Sequence, residues 1–164
     1  MPHNASVPET RFLADRMLGT LTRYLRFMGY DTISANGFGA GNPDEDSRLL
    51  MLAHDEHRIL LTRDHELARR GGGHAVLVTA GGVLAQVQQL ADLGLVERRL
   101  PMCRCSLCNT IIRVATEEEI ASAGYAPRDR TGYTFFWCDQ CGKLYWNGSH
   151  GKHLQERIDS GLRS

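Results

Sequence analysis

The sequence predicts an α/β domain with a parallel sheet between two layers of helices, followed by a small zinc-binding module. Short apolar segments alternate with amphipathic ones along residues 11–93, in the order β-α-β-α-β-α-β-α, and that alternation implies a parallel sheet with helices on both faces. Ile59, Leu60 and Leu61 make an unbroken apolar run of the kind that forms a strand buried on both sides. All five cysteines lie between positions 103 and 141, in a segment that also gathers aromatics and turn formers.

Residues 11–15, Arg-Phe-Leu-Ala-Asp, read as a first strand ending in Asp15. A helix is expected over residues 17–28, because Leu18, Leu21, Leu25 and Met28 recur as one stripe and Gly29 suits the helix end. Residues 31–35 give a second strand. The loop at 36–43 holds Gly37, Gly39 and Gly41, yet it lacks both the dinucleotide fingerprint and the Lys-Ser/Thr of a phosphate loop. Asp44, Glu45 and Asp46 open a second helix that runs to about residue 57, and acids in a first turn complement the helix dipole. Leu49, Leu50, Leu52 and Ala53 supply its buried side, with His54 and His57 at its surface end. The third strand stops at Thr62. Asp64, just past it, can cap a short helix at 65–70 or face the crevice beyond the strand ends, where open α/β sheets place their chemistry. Residues 75–79 form a fourth strand, and 82–93 a fourth helix striped by Val83, Val87, Leu90 and Leu93. The composition then breaks at 97–101. The expected division is a flexible N-terminus at 1–10, the α/β unit at 11–100, the cysteine module at 101–150 and a C-terminal helix or tail at 151–164.

With 42% apolar and 23% charged residues the chain has a globular composition, and its formal net charge of zero excludes a globally basic nucleic-acid binder, so any such surface must be a local patch. No apolar stretch approaches the ~18 residues of a membrane span. The first ten residues are polar and lack a signal-peptide core, so a cytoplasmic protein is expected.

Cys105-x-x-Cys108 and Cys138-x-x-Cys141 are two knuckles separated by 29 residues. Two thiolate pairs match a structural tetrahedral Zn²⁺ site, with Gly142 suiting the turn after the second. A redox protein would need only one pair, and Cys103 is left as a free thiol. Phe135, Phe136, Trp137, Tyr145 and Trp146 flank the second knuckle; most are expected in the module's core, with one or two free to stack on bases.

Three acids share a pattern. Asp15 ends the first strand, Asp64 follows the third, and Asp46, with Asp44 and Glu45 beside it, starts the helix before the third strand. All are expected at one rim of the sheet. Each alone is more often a cap or a turn residue, but three together repel unless a divalent cation removes that cost, and oxygen-only ligands favour Mg²⁺ or Mn²⁺.

The chain resembles a family at Phe12-Leu-Ala-Asp15-Arg-Met-Leu-Gly19, Arg23-Tyr-Leu-Arg26, Gly29-Tyr-Asp31, Asp46 before Leu49-Leu50, Arg58-Ile-Leu-Leu-Thr-Arg-Asp64, and Cys138-x-x-Cys141-Gly-Lys-Leu-Tyr-Trp146-x-Gly-Ser-His150. These stretches look like the Mut-7 C-terminal ribonuclease domain family, PIN-like domains with an appended zinc ribbon, over residues 11–150. The resemblance implies a PIN-like three-layer α/β/α fold and Mg²⁺/Mn²⁺-dependent cleavage of RNA. It also implies Asp15, Asp46 and Asp64 as the acidic site, with Asp44 and Glu45 as helpers or replacements for Asp46. Such nucleases often add a fourth acid, and Asp92 stands too far along its helix to match it. Arg16, Arg23, Arg26 and Arg63 are candidates to position phosphates, or to neutralise a nearby acid. His150 can approach the RNA or pack within the ribbon. The rival function is a non-catalytic RNA- or ribosome-binding adaptor on a degenerate PIN-like fold.

Overall fold

In the computed structural model, residues 8–35, 44–97, 99 and 102–147 are described. The first sheet is wholly parallel, with strands β1 (Arg11–Ala14), β2 (Asp31–Ser34), β3 (Ile59–Thr62) and β4 (Ala75–Leu77) in the spatial order β2-β1-β3-β4. Strand alternation sorts its side chains. Phe12, Ala14 and Leu61 pack with Leu21, Leu25, Val87 and Leu90, on the face covered by helices α1 (Gly19–Phe27) and α4 (Val83–Asp92). Leu13 and Leu60 turn the other way, to Leu49, Ala53 and Leu67 of α2 (Glu45–Asp55) and α3 (His65–Gly71). The result is the expected three-layer α/β/α arrangement.

Three details differ from the sequence expectation. The first helix is preceded by a 3-10 turn at Arg16–Leu18, because the Asp15 carboxylate accepts from the Arg16 amide at 2.7 Å and tightens the exit from β1. The fourth strand stops at Leu77. Leu93 lies just past the end of α4 and is exposed, while the rest of its stripe is inside. The N-terminal residues 1–7, the glycine loop at 36–43 and the tail at 151–164 lie outside the described residues. Among the described residues, no helix is long and apolar enough to cross a membrane.

A second, antiparallel sheet holds β5 (Arg113–Val114), β6 (Thr134–Cys138) and β7 (Lys143–Asn147) in that order. Phe135 and Phe136, adjacent in β6, point to opposite faces and nucleate two small cores. Phe136 joins Cys105, Cys138 and Tyr145; Phe135 joins Leu144 and Ile120, the latter on a short helix α5 (Glu117–Ser122). A reciprocal capping box between Thr116 and Glu119 starts α5.

The two sheets meet along β2. Asn109 sits in the left-handed region at φ 69°, which Asn tolerates better than most residues, and so turns its amide onto the open edge of β2. Its Oδ1 accepts from the Thr32 amide at 3.0 Å and its Nδ2 donates to Asp31 at 2.7 Å. Arg26 of α1 donates to the Thr32, Ser106 and Leu107 carbonyls, and Arg104 donates to the Gly29 carbonyl. Phe27 packs edge-on against Tyr145 at 6.1 Å.

Asp31 ties this seam to the core. Arg58 is 5% exposed and donates to the Asp31 carboxylate at 2.8 Å and to the Phe12 carbonyl. Burial alone would raise the Asp31 carboxyl, but hydrogen bonds from Arg58 and Asn109 outweigh it and hold the pKa at about 2. A carboxyl depressed on folding stabilises the protein above its unfolded pKa, and that contribution is lost as pH falls through the folded value. Asp31→Asn is therefore expected to cost roughly 2 kcal/mol at neutral pH, a drop of about 4–8 °C in melting temperature. The gap between parent and variant should close as pH is lowered from about 4 toward 2, which thermal melts across that range will measure.

Candidate active site at the carboxyl rim of the sheet

β1 and β3 are parallel neighbours, so their carboxyl ends open on the same rim. The Asp15 amide donates to the Leu61 carbonyl at 2.9 Å, which fixes Asp15 where β1 leaves the sheet. Thr62 organises the acids around it. Its hydroxyl donates to Asp15 Oδ2 at 2.8 Å and accepts from the Asp64 amide at 3.0 Å. Asp64 Oδ1 caps α3 by accepting from the Leu67 amide at 3.0 Å. Of the two readings of Asp64 the structure shows the cap, made by one oxygen; the other oxygen has no hydrogen-bond partner among the described residues.

Asp46 comes from the first turn of α2. Its carboxyl is pushed above the ordinary Asp value, by burial first, then by the negative charge of Asp64, Asp15 and Glu45, against the opposing pull of Arg70. Three segments distant in sequence therefore bring Asp15, Asp46 and Asp64 into one electrostatic neighbourhood, and the field at Asp46 is net repulsive. The three carboxylates do not all lie within 4.8 Å of one another. Among the described residues, the cysteine quartet is the sole set of three or more candidate ligand atoms within 4.8 Å of one another. A hard cation would relieve the repulsion at Asp46, and the all-oxygen donors Asp15, Asp46 and Asp64 are of the type that suits Mg²⁺ or Mn²⁺.

The neighbouring acids and bases divide by role. Glu45 accepts from Arg16 in an ion pair at 2.7 Å, so these two offset one another beside the rim. Asp44 is the exposed residue preceding α2 and makes no side-chain cap to it. Arg63 donates to the Ala80 carbonyl at 2.6 Å. Arg26 is taken up by the seam between the sheets, where burial lowers its pKa. Arg23 is exposed on α1 and has no ion pair or hydrogen bond among the described residues. His150 lies outside the described residues. Asp92 ends α4, and the chain beyond it reaches back to Tyr30 at the start of β2, on the opposite rim, through the Glu97 amide at 2.7 Å.

Sequence reasoning missed Thr62 and Arg70. Arg70 donates to Ser47 and is the base whose charge Asp46 feels. An Arg six residues after an Asp on a short helix carried a faint signal; the Thr62 hydroxyl carried none beyond its place at a strand end.

The four cysteine sulfurs form a compact set. Cys105 and Cys141 Sγ are 3.9 Å apart, and Cys108 and Cys138 Sγ 3.5 Å. A tetrahedral ion with metal–sulfur bonds of about 2.3 Å places its sulfurs about 3.8 Å apart, so these four can hold a structural metal such as zinc. Cys103 stands outside the quartet, and burial pushes its thiol up. Of the aromatics nearby, Phe135, Phe136 and Tyr145 are core, while Trp146 stacks on the exposed Tyr125 at 6.2 Å.

Neither the curated proteins nor the solved structures offer a match to the chain. A family model described as the Mut7-C RNAse domain matches residues 10–158, from before β1 to beyond β7, and so takes in both the acidic rim and the cysteine quartet. The chain belongs to the Mut7-C RNAse domain family.

Proposed function

We propose that the protein is a cytoplasmic ribonuclease that hydrolyses RNA phosphodiester bonds with a Mg²⁺ or Mn²⁺ ion bound by Asp15, Asp46 and Asp64. Residues 11–100 form the nuclease unit and 101–150 a ribbon held by structural zinc on Cys105, Cys108, Cys138 and Cys141. The observation that carries this reading is geometric: at one rim of the sheet the Thr62 hydroxyl donates to the Asp15 carboxylate and accepts from the Asp64 amide, and Asp46, in the first turn of α2, feels the charge of both acids. Family membership supports the reaction class.

When bound, the cation would activate a water for attack on phosphorus and offset the charge that builds on the phosphoryl oxygens. The chain's residues do the positioning. The Thr62 hydroxyl holds the Asp15 carboxylate and accepts from the Asp64 amide, while the Leu67 amide holds one oxygen of the Asp64 carboxylate. Glu45 is engaged by Arg16, which leaves Asp46 as the acid of its turn that faces the other two. Arg23, exposed on α1 with no partner among the described residues, would take a phosphate flanking the cut without reading bases.

Purified protein is expected to cleave mixed single-stranded RNAs in the presence of Mn²⁺, and to stop when the divalent ion is left out while zinc is retained. RNA binding with no metal-stimulated product would instead favour the adaptor role.

A further inference from the structure

A polar groove of ≈ 400 Å³ runs between α1 and the first cysteine knuckle. Thr20 and Arg23 of α1 form one wall, Ser106 and Leu107 the other, with Arg26 and Ser34 between them. Its lining holds two arginines and no carboxylate. Arg23 has no partner among the described residues, and Arg26 donates to three carbonyl oxygens, so no carboxylate is hydrogen-bonded to either guanidinium. In a chain of net charge zero Arg23 gives this groove an unpaired positive charge, while Arg26 is already set against Asp31, Cys105 and Cys108. Ser34 is the register partner of Ala14, whose next residue is Asp15, so the groove opens one strand away from the acids on the same rim.

We infer that this groove is a subsite for single-stranded RNA, formed jointly by the nuclease unit and the ribbon. It takes a phosphate next to the scissile one on Arg23, while the 51%-exposed Leu107 lies against the sugar or base. A groove of this volume has room for a nucleotide. The ribbon is then a wall of the substrate path, and substrates long enough to cross α1 bind more tightly than those that end at the acids. This inference rests on the ribonuclease reading for the position of the cut, but it can be tested without cleavage.

Zinc-loaded full-length protein is titrated with a labelled single-stranded oligouridylate, with no divalent ion added, and the anisotropy is read across salt concentrations. Arg23→Ala and Leu107→Asp, which alter opposite walls, should each weaken binding about 3–10-fold, and Arg23→Ala should lower the salt slope by about one. Arg128→Ala, on an exposed ribbon loop, serves as the control and should bind like the parent. With Mn²⁺ present, KM for the oligonucleotide should rise by the same factor at unchanged kcat, and cleavage of a dinucleotide should not change. Weakened binding without any cleavage would sustain the groove and remove the ribonuclease reading. Cleavage by a parent whose two wall variants bind as tightly as it does would remove the groove alone. A parent that does not bind the oligonucleotide, or a loss that is equal for the dinucleotide, also overturns the inference.

Discussion

Asp64→Asn should lower RNA cleavage by on the order of 10³-fold while leaving the fold and the zinc content intact, a loss of about 4 kcal/mol in transition-state stabilisation. Asn is as good a helix N-cap as Asp, and its amide oxygen can still accept from the Leu67 amide. The Asp64 amide, which donates to Thr62, is untouched. What disappears is one negative charge from a site proposed to grip a hard cation, and a neutral amide is a weak ligand for such an ion. Removing that charge also relieves Asp46, so the carboxyl there should fall back toward its ordinary value. Single-turnover cleavage with Mn²⁺, run beside a thermal melt, separates the outcomes. A folded variant that cuts at the parental rate would show that the site is elsewhere. A collapsed melting temperature would show that Asp64 is chiefly structural.

The second large effect concerns the ribbon. Cys138 is fully buried at the end of β6, and its sulfur lies 3.5 Å from Cys108. Cys138→Ser should abolish stoichiometric zinc and unfold the ribbon, because two small clusters around Phe135 and Phe136 are too little core to stand alone. Apparent binding energies of structural zinc in finger peptides, about 10–16 kcal/mol, show how far such a module depends on its metal. Without metal the thiols of Cys108, Cys138 and Cys141 respond differently to their surroundings. Cys108 is drawn down by its hydrogen bonds to Thr110 and to the neighbouring sulfurs, which overcome burial, while Cys141 is pushed up by Cys108 and Cys138 by burial. The damage should reach the nuclease unit too. Asn109 and the Ser106 and Leu107 carbonyls, which hold β2 and Arg26, belong to the loop that starts at Cys105. Metal analysis should read no zinc, and near-ultraviolet dichroism from Trp137 and Trp146 should flatten. Far-ultraviolet signal from the parallel sheet and its helices should persist, since their two cores are separate from the ribbon's. A variant that keeps one zinc and its aromatic signal would refute the ligand assignment.

The strands and helices of the first unit were legible because each carries its own periodicity: Leu18, Leu21, Leu25 and Met28 are all buried where their stripe puts them. Asp15 and Asp64 could be placed because strand ends can be read from where apolar runs stop, and Asp46 because the acids at 44–46 mark a helix start. The short helix α5 was missed, although Thr116 followed by Glu119 is a capping-box signature that could have found it. What sequence could not reveal is the set of long-range partners. Arg26 reads as a phosphate contact on a helix face, yet it spans 80 residues to bond Ser106. Arg58 reads as the charged lead-in to a strand, yet it is buried against Asp31. Asp31 stands at the start of β2, where the sequence put it, but nothing local shows that it serves the seam through Arg58 and Asn109. Such roles depend on which loops meet, and no local pattern encodes that.

The acidic rim can be examined most directly by soaking crystals of the full chain in Mn²⁺ and locating the ion by its anomalous scattering. The account predicts a peak at bonding distance from carboxylate oxygens of Asp15, Asp46 and Asp64. A peak on other residues, or Asp15, Asp46 and Asp64 remaining apart with no ion at saturating Mn²⁺, would contradict it.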